Sequence, residues 1–101
     1  MFEFHIVKNN QSATVHFVGN LSVKDTAKVK SELIQLRDSG INVLTFDFAE
    51  LSYLDSSGIG ILLHAYTWTK EKQGSIRIIN MSKEIRPIFQ ISNLIDVFNV
   101  E

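Results

Sequence analysis

The residues best placed to do chemistry lie in one stretch, FDFAELSYLDSSGIG, residues 46–60, where Asp55, Ser56, Ser57, Gly58 and Gly60 separate an apolar strand pattern from an apolar helix pattern. Backbone amides in the first turn of a helix have no intrahelical partner. An aspartate or serine at that point can accept hydrogen bonds from them, and a hydroxyl beside it faces the partial positive charge of the helix start. The spacing alone therefore describes a capped, exposed hydroxyl, and capping is the simpler reading of an arbitrary Asp-Ser-Ser-Gly. Gly58 and Gly60 ask for more. Glycine costs about 1 kcal/mol in a helix relative to alanine, so two in the first turns imply close packing or an accessible helix start.

Other chemistries find less support. The absence of cysteine excludes a disulfide framework, a thiolate nucleophile and every cysteine zinc pattern. His5, His16 and His64 have no ligand-like spacing, and in strands at period two His5 and His16 read as half-exposed sheet residues, so no metal is expected. Gly58-Ile59-Gly60 lacks the third glycine of a dinucleotide fingerprint and the lysine of a P-loop. A hydrolase elbow of the G-x-S-x-G type is missing, and His64 lies about two helical turns, roughly 11 Å, beyond the serines. Tyr66 and Trp68 fall in an apolar helix as core or rim residues. No catalytic residue and no cofactor are expected.

The elements that must position this stretch follow from periodicity. Phe2, Phe4 and Ile6, then Ala13, Val15 and Phe17, alternate with polar residues as two strands joined by a turn at residues 9–11. Residues 22–39 read as a helix, with Val23, Ala27 and Ile34 on one line and Val29, Leu33 and Leu36 widening it. Ser22 and Asp25 resemble a capping box at its start, and Gly40 is a helix stop. Residues 41–48 predict a covered strand with one internal charge, Asp47; residues 49–55 predict a loop; residues 57–72 predict a helix ended by Gly74. A strand at 76–79 and a helix at 82–92 follow, the latter starting near or bending at Pro87, and Val97, Phe98 and Val100 are placed to close the sheet. The expected class is α/β, a mixed four- to five-stranded sheet with three to four helices packed on it.

With 101 residues, 45% hydrophobic and 21% charged, the chain is expected to form one domain over 1–101 with its own core. Ten basic residues against eleven acidic ones, with no basic run, argue against nucleic acid as a ligand. Glu3, His5 and Lys8 interrupt the N-terminal apolar residues, and no run approaches the roughly 20 apolar residues of a membrane span. A cytoplasmic protein without membrane insertion is the expectation.

The order apolar strand, Asp47, short loop, Asp55-Ser56-Ser57-Gly58-Ile59-Gly60 and apolar helix resembles the signature of anti-sigma factor antagonists, which are STAS domain proteins. Gly19-Asn20-Leu21, and Ser82 followed by Ile85, Ile88, Phe89, Leu94 and Val97, extend the resemblance over nearly the whole chain. It implies the STAS fold, and it implies that Ser56, the serine directly after the aspartate, is phosphorylated by an anti-sigma factor that is also a serine kinase. The unphosphorylated form would bind that partner and free a sigma factor, and phosphorylation would release it, with a serine phosphatase as a possible resetting partner. Asn20, Ser22, Asp55, Ser57, Gly58 and Ile59 would form the partner surface, on a monomer or weak dimer. Where the family often carries acidic residues after the glycine and two further on, this chain has Asn20 and Ser22; Asn93 stands where the family often has glycine. The competing function is a non-switching STAS subunit of a stress-sensing scaffold or of a lipid transporter complex, and Asp55-Ser56 favours the switch.

Overall fold

A computed structural model describes residues 1–101. The elements are β1 (Phe2–Asn9), β2 (Ser12–Leu21), a 3-10 turn (Val23–Asp25), α1 (Thr26–Asp38), β3 (Val43–Leu54), α2 (Ser56–Glu71), β4 (Ser75–Ile79) and α3 (Arg86–Ile91). The sheet order is β1-β2-β3-β4, with β1 antiparallel to β2 and the other two pairings parallel. The mixed sheet was expected. A fifth strand does not form: the C-terminal segment contributes one bridge, Val100 to Ile78, while Phe98 turns into the core.

Strand alternation decides which face is covered. Ala13, Val15 and Phe17 of β2, Leu44, Phe46 and Phe48 of β3, and Ile76 and Ile78 of β4 are all buried, and they meet the helices on one face. The largest of these each contribute about 1.5–3 kcal/mol by leaving water. Aromatic rings continue through this layer, from Phe17 to Phe48 at 5.9 Å between centroids, Phe48 to Phe89 at 6.0 Å and Phe89 to Phe98 at 5.9 Å. The opposite face carries His5, His16, Asp47 and Arg77 and no helix.

The buried stripe of α1 is Val29, Leu33 and Leu36. The line expected beside it is not: Ile34 is half-buried, while Val23 and Ala27 are exposed. Val23 belongs to the 3-10 turn, whose tighter winding rotates it out of the helical stripe. The Ser22–Asp25 pairing does form, with the Asp25 carboxylate accepting from the Ser22 amide at 3.4 Å and its hydroxyl at 3.2 Å. Pro87 sits in the first turn of α3, where its missing amide costs nothing, so the helix is shorter than its apolar pattern and residues 83–85 form a turn before it. Asn93 takes a left-handed φ of 58° after that helix, the conformation glycine would otherwise supply.

The largest departure from the periodicity is in residues 49–55, which extend β3 to Leu54 instead of forming a loop. Along β3 the buried residues run Phe46, Phe48, Leu51, Leu54, so their spacing changes from two to three. The register against β2 explains the change. His16 pairs with Asp47 but Val18 with Glu50, and Gly19 pairs with Leu51 but Asn20 with Tyr53, so β3 twice carries one extra residue. Each such bulge interrupts the alternation that identifies a strand by sequence.

Helix α2 ends at a left-handed Gln73, φ 57°, and not at a left-handed Gly74. Gly74 is there for space, because a Cβ at that position would fall inside the contact radius of the Asn42 carbonyl oxygen, which accepts the Ser75 amide at 3.0 Å. Gly60 differs, since a Cβ there would meet nothing within 4 Å. In urea unfolding, Gly74→Ala should therefore lose about 1–3 kcal/mol while Gly60→Ala should gain about 0.5–1 kcal/mol. Equal effects of the two substitutions would contradict this assignment.

Candidate functional site

The site lies at the carboxyl ends of the two central strands. Parallel pairing sets Asn20 beside Tyr53 and Leu21 beside Leu54, so the next residues, Ser22 and Asp55, leave the sheet together. Gly19 adopts φ +93°, and the Asn20 amide donates to the Met1 carbonyl at 3.1 Å; a side chain at Gly19 would strike that carbonyl. Leu21 and Leu54 are buried, and Gly58 of α2 rests on both, its Cβ position lying 3.1 Å from Leu21 Cδ2 and 3.3 Å from Leu54 Cβ. Close packing thus accounts for Gly58, and an open helix surface accounts for Gly60.

Asp55 is the N-cap of α2. Its Oδ1 accepts the Ser57 amide at 3.1 Å, the Gly58 amide at 3.2 Å and the Ser57 hydroxyl. The Ser57 hydroxyl is the largest influence on this carboxyl, and together with the Gly58 and Ser57 amides it outweighs desolvation and holds the group below its ordinary value of 3.8. The helix begins at Ser56, one residue earlier than its pattern predicted. Ser56 is exposed and its hydroxyl has no hydrogen-bond partner, whereas Ser57 is half-buried and bonded to the cap. The two adjacent serines are therefore chemically unequal.

All of the sequence-predicted site residues fall in this one neighbourhood, in different capacities. Asn20 and Ser56 are exposed; Ser22, Asp55, Ser57 and Ile59 are half-buried; Gly58 is buried and has no side chain to offer. Periodicity missed two exposed residues at the same edge, Val23 (70%) and Tyr53 (51%). Helical spacing places Val23 inward, and Tyr53 lies in the bulged part of β3; a large aromatic in an apparent polar loop is the signal that points to it. Between α1 and α2 a shallow groove lined by Ala27, Lys30, Ser57, Gly60 and His64 opens beside the helix start.

A second polar cluster lies on the helix-free face. Asp47 accepts from His16 Nδ1 at 2.8 Å, Asn80 Nδ2 at 2.9 Å and the Ala49 amide at 2.9 Å. Partial burial raises its carboxyl, and the donors, Asn80 foremost, with Ala49 and the neighbouring His16, pull it below the ordinary 3.8. The Ala49 bond satisfies an amide at the first bulge of β3, so Asp47, the charge within this strand, holds the irregularity.

A family model described as STAS domain matches residues 3–101. The chain belongs to the STAS domain family. It is similar to an anti-sigma-B factor antagonist of Bacillus subtilis, 24% identical over 95 residues, covering 94% of this chain and 86% of the relative. A Listeria monocytogenes protein of the same name is 28% identical over 89 residues, covering 86% and 76%. Among solved structures, the Bacillus cell fate determinant SpoIIAA in its phosphorylated form superposes with a TM-score of 0.81 at 21% identity, covering 98% of this chain and 91% of that one. The unphosphorylated form of SpoIIAA gives 0.77 at 20% identity, covering 87% and 82%. These superpositions establish the STAS fold, in agreement with the α/β expectation.

Because both shifted aspartates sit below their ordinary value when folded, their contribution to stability is complete above the unfolded value and is lost as pH falls through the folded values. Thermal melts should show a Tm independent of these groups above about pH 5, falling below about pH 4. Asp55→Asn, which keeps a capping oxygen, should retain more of the Tm than Asp55→Ala at neutral pH. Equal Tm values for these two variants would exclude the cap.

Proposed function

We propose that this STAS domain is an anti-sigma factor antagonist whose unphosphorylated form binds an anti-sigma factor with serine kinase activity, frees a sigma factor, and releases its partner when Ser56 is phosphorylated. The observation that supports this most directly is the unbonded, exposed Ser56 hydroxyl at the first position of α2, beside a cap already occupied by Ser57. The names of the similar Bacillus and Listeria proteins and the two phosphorylation states of SpoIIAA support the same reading.

The physics of the switch lies in where the charge is felt. Phosphoserine carries about −1.5 to −2 charges, and a helix start favours an anion by roughly 0.3–1 kcal/mol, so the domain tolerates the group. A partner covering Asn20, Ser22, Tyr53 and Ser56 would have to desolvate that charge next to Asp55. Disrupting a buried charged arrangement costs about 2–5 kcal/mol, which corresponds to roughly 30-fold to a few thousand-fold in affinity. Val23, Tyr53 and the half-buried Ile59 supply apolar surface around the hydroxyl. Within this proposal the domain is a cytoplasmic binding module without turnover of its own, and a serine phosphatase resets it.

Titration calorimetry of the cognate kinase-type anti-sigma factor against wild type, Ser56→Ala and the phosphorylated chain tests the proposal. Wild type and Ser56→Ala should bind alike, and the phosphorylated chain should bind at least about 30-fold more weakly. Phosphopeptide mapping should place the modification on Ser56 and leave Ser57 unmodified. Equal affinity of all three forms would overturn the mechanism.

A further inference from the structure

The antiparallel register of β1 and β2 places His5 directly opposite His16. Directly opposed residues point to the same face of the sheet with Cβ atoms about 4.5–5.5 Å apart, and here that is the helix-free face. His5 is exposed, and the His16 side chain is 40% exposed. The His16 ring is already oriented: Nδ1 lies 2.8 Å from Asp47 Oδ2, and the Asp47 carboxylate is fixed in turn by Asn80 and the Ala49 amide. A neutral His16 that donates Nδ1–H to Asp47 would leave its Nε2 lone pair free for a ligand. A carboxylate behind an imidazole is the arrangement that fixes the tautomer of metal-binding histidines and raises their basicity. His5, His16, Asp47 and Glu50 border one shallow hollow, and Glu50 adds a negative charge at its rim.

We propose that His5 and His16 form a two-histidine site for a borderline divalent transition ion, Zn²⁺ or Ni²⁺, with Asp47 as the residue that orients His16 and water completing the coordination. No group of three His, Asp or Glu residues converges to ligate an ion, so the site is open and exchangeable and has no resemblance to a closed structural zinc site. Two neutral imidazoles select ions of this class over Mg²⁺ or Ca²⁺, which take oxygen ligands. Ten intervening residues hide the pair in the sequence; the β1–β2 register creates it. The inference does not depend on the switch at Ser56, which lies at the carboxyl ends of the central strands.

Calorimetric titration of the untagged, metal-free chain with ZnCl₂ and with NiCl₂ tests the site. Binding of one ion per chain is expected, with affinity at least about tenfold weaker in His5→Gln and in His16→Gln, unchanged in His64→Gln, and undetectable for MgCl₂. Since His16 also holds Asp47, His5→Gln is the decisive variant: the His5 side chain is exposed and in no side-chain hydrogen bond, and the substitution keeps the backbone pairing of β1 with β2, so the fold should stay intact. A metal-dependent rise in Tm should appear in wild type and be lost in His5→Gln. Wild-type affinity retained by His5→Gln, or absence of Zn²⁺ and Ni²⁺ binding by the wild type, would overturn the proposal.

Discussion

The contact of Gly58 with Leu21 and Leu54 is the constraint on which the site depends. One helix start must sit on the ends of two parallel strands at once, and Gly58 lets it come close, since an added Cβ would lie 3.1 Å from Leu21 Cδ2 and 3.3 Å from Leu54 Cβ and press both side chains aside. Once Gly58 is seated, Asp55 is at the helix start with its carboxylate turned to the Ser57 and Gly58 amides, and Ser56 has nowhere to point but outward. The cap and the packing reinforce each other. Without the cap, the first-turn amides would lose their acceptor; without the close approach, the cap would not hold α2 against the sheet.

Bringing Leu54 beside Leu21 makes a further demand on β3. The strand carries two more residues than β2 uses over the same ladder, and the two bulges absorb them. Asp47 bonds the free Ala49 amide at the first of these and ties β3 to His16 on β2 and to Asn80 just after β4. The charge that looked out of place in an apolar strand is thus part of the machinery that aims the strand end. The second register shift also breaks the alternation, so that Tyr53 is exposed although Leu51 and Leu54 are buried.

Legibility in the sequence followed from how local the physics was. Strands β1 and β2, the core stripe Val29, Leu33 and Leu36, and the Asp55 cap were readable because alternation, helical spacing and capping chemistry are set within a few residues. The second half of β3 was not, because its register shifts break the alternation and are defined only against β2. Helical spacing misplaces Val23 because a 3-10 turn and an α-helix differ by a rotation that sequence spacing does not encode. His5 and His16 could be assigned to strands, but not to each other, since pairing is a long-range property. The resemblance to anti-sigma factor antagonists pointed to the STAS fold and to Ser56 where residue chemistry alone reached no further than an exposed hydroxyl.

The inequality of Ser56 and Ser57 shows how a fold separates two hydroxyls that a short motif presents alike. Both are hydroxyls at a helix start, and an isolated Asp-Ser-Ser triplet offers no reason to prefer either. The fold supplies the reason, because a helix advances about 100° per residue and the cap reaches the residue two positions on. Ser57 therefore turns toward Asp55 and the α1 groove, donating its proton to a carboxylate that is held in its charged form. Phosphorylating Ser57 would replace that donor with a dianion against a carboxylate, a like-charge contact that opposes the fold itself. At Ser56 the hydroxyl is unbonded, so under the proposed switch a charge added there would disrupt no existing hydrogen bond of that side chain and would cost only a partner that covers it. The same aspartate thus engages one serine and leaves the next unbonded.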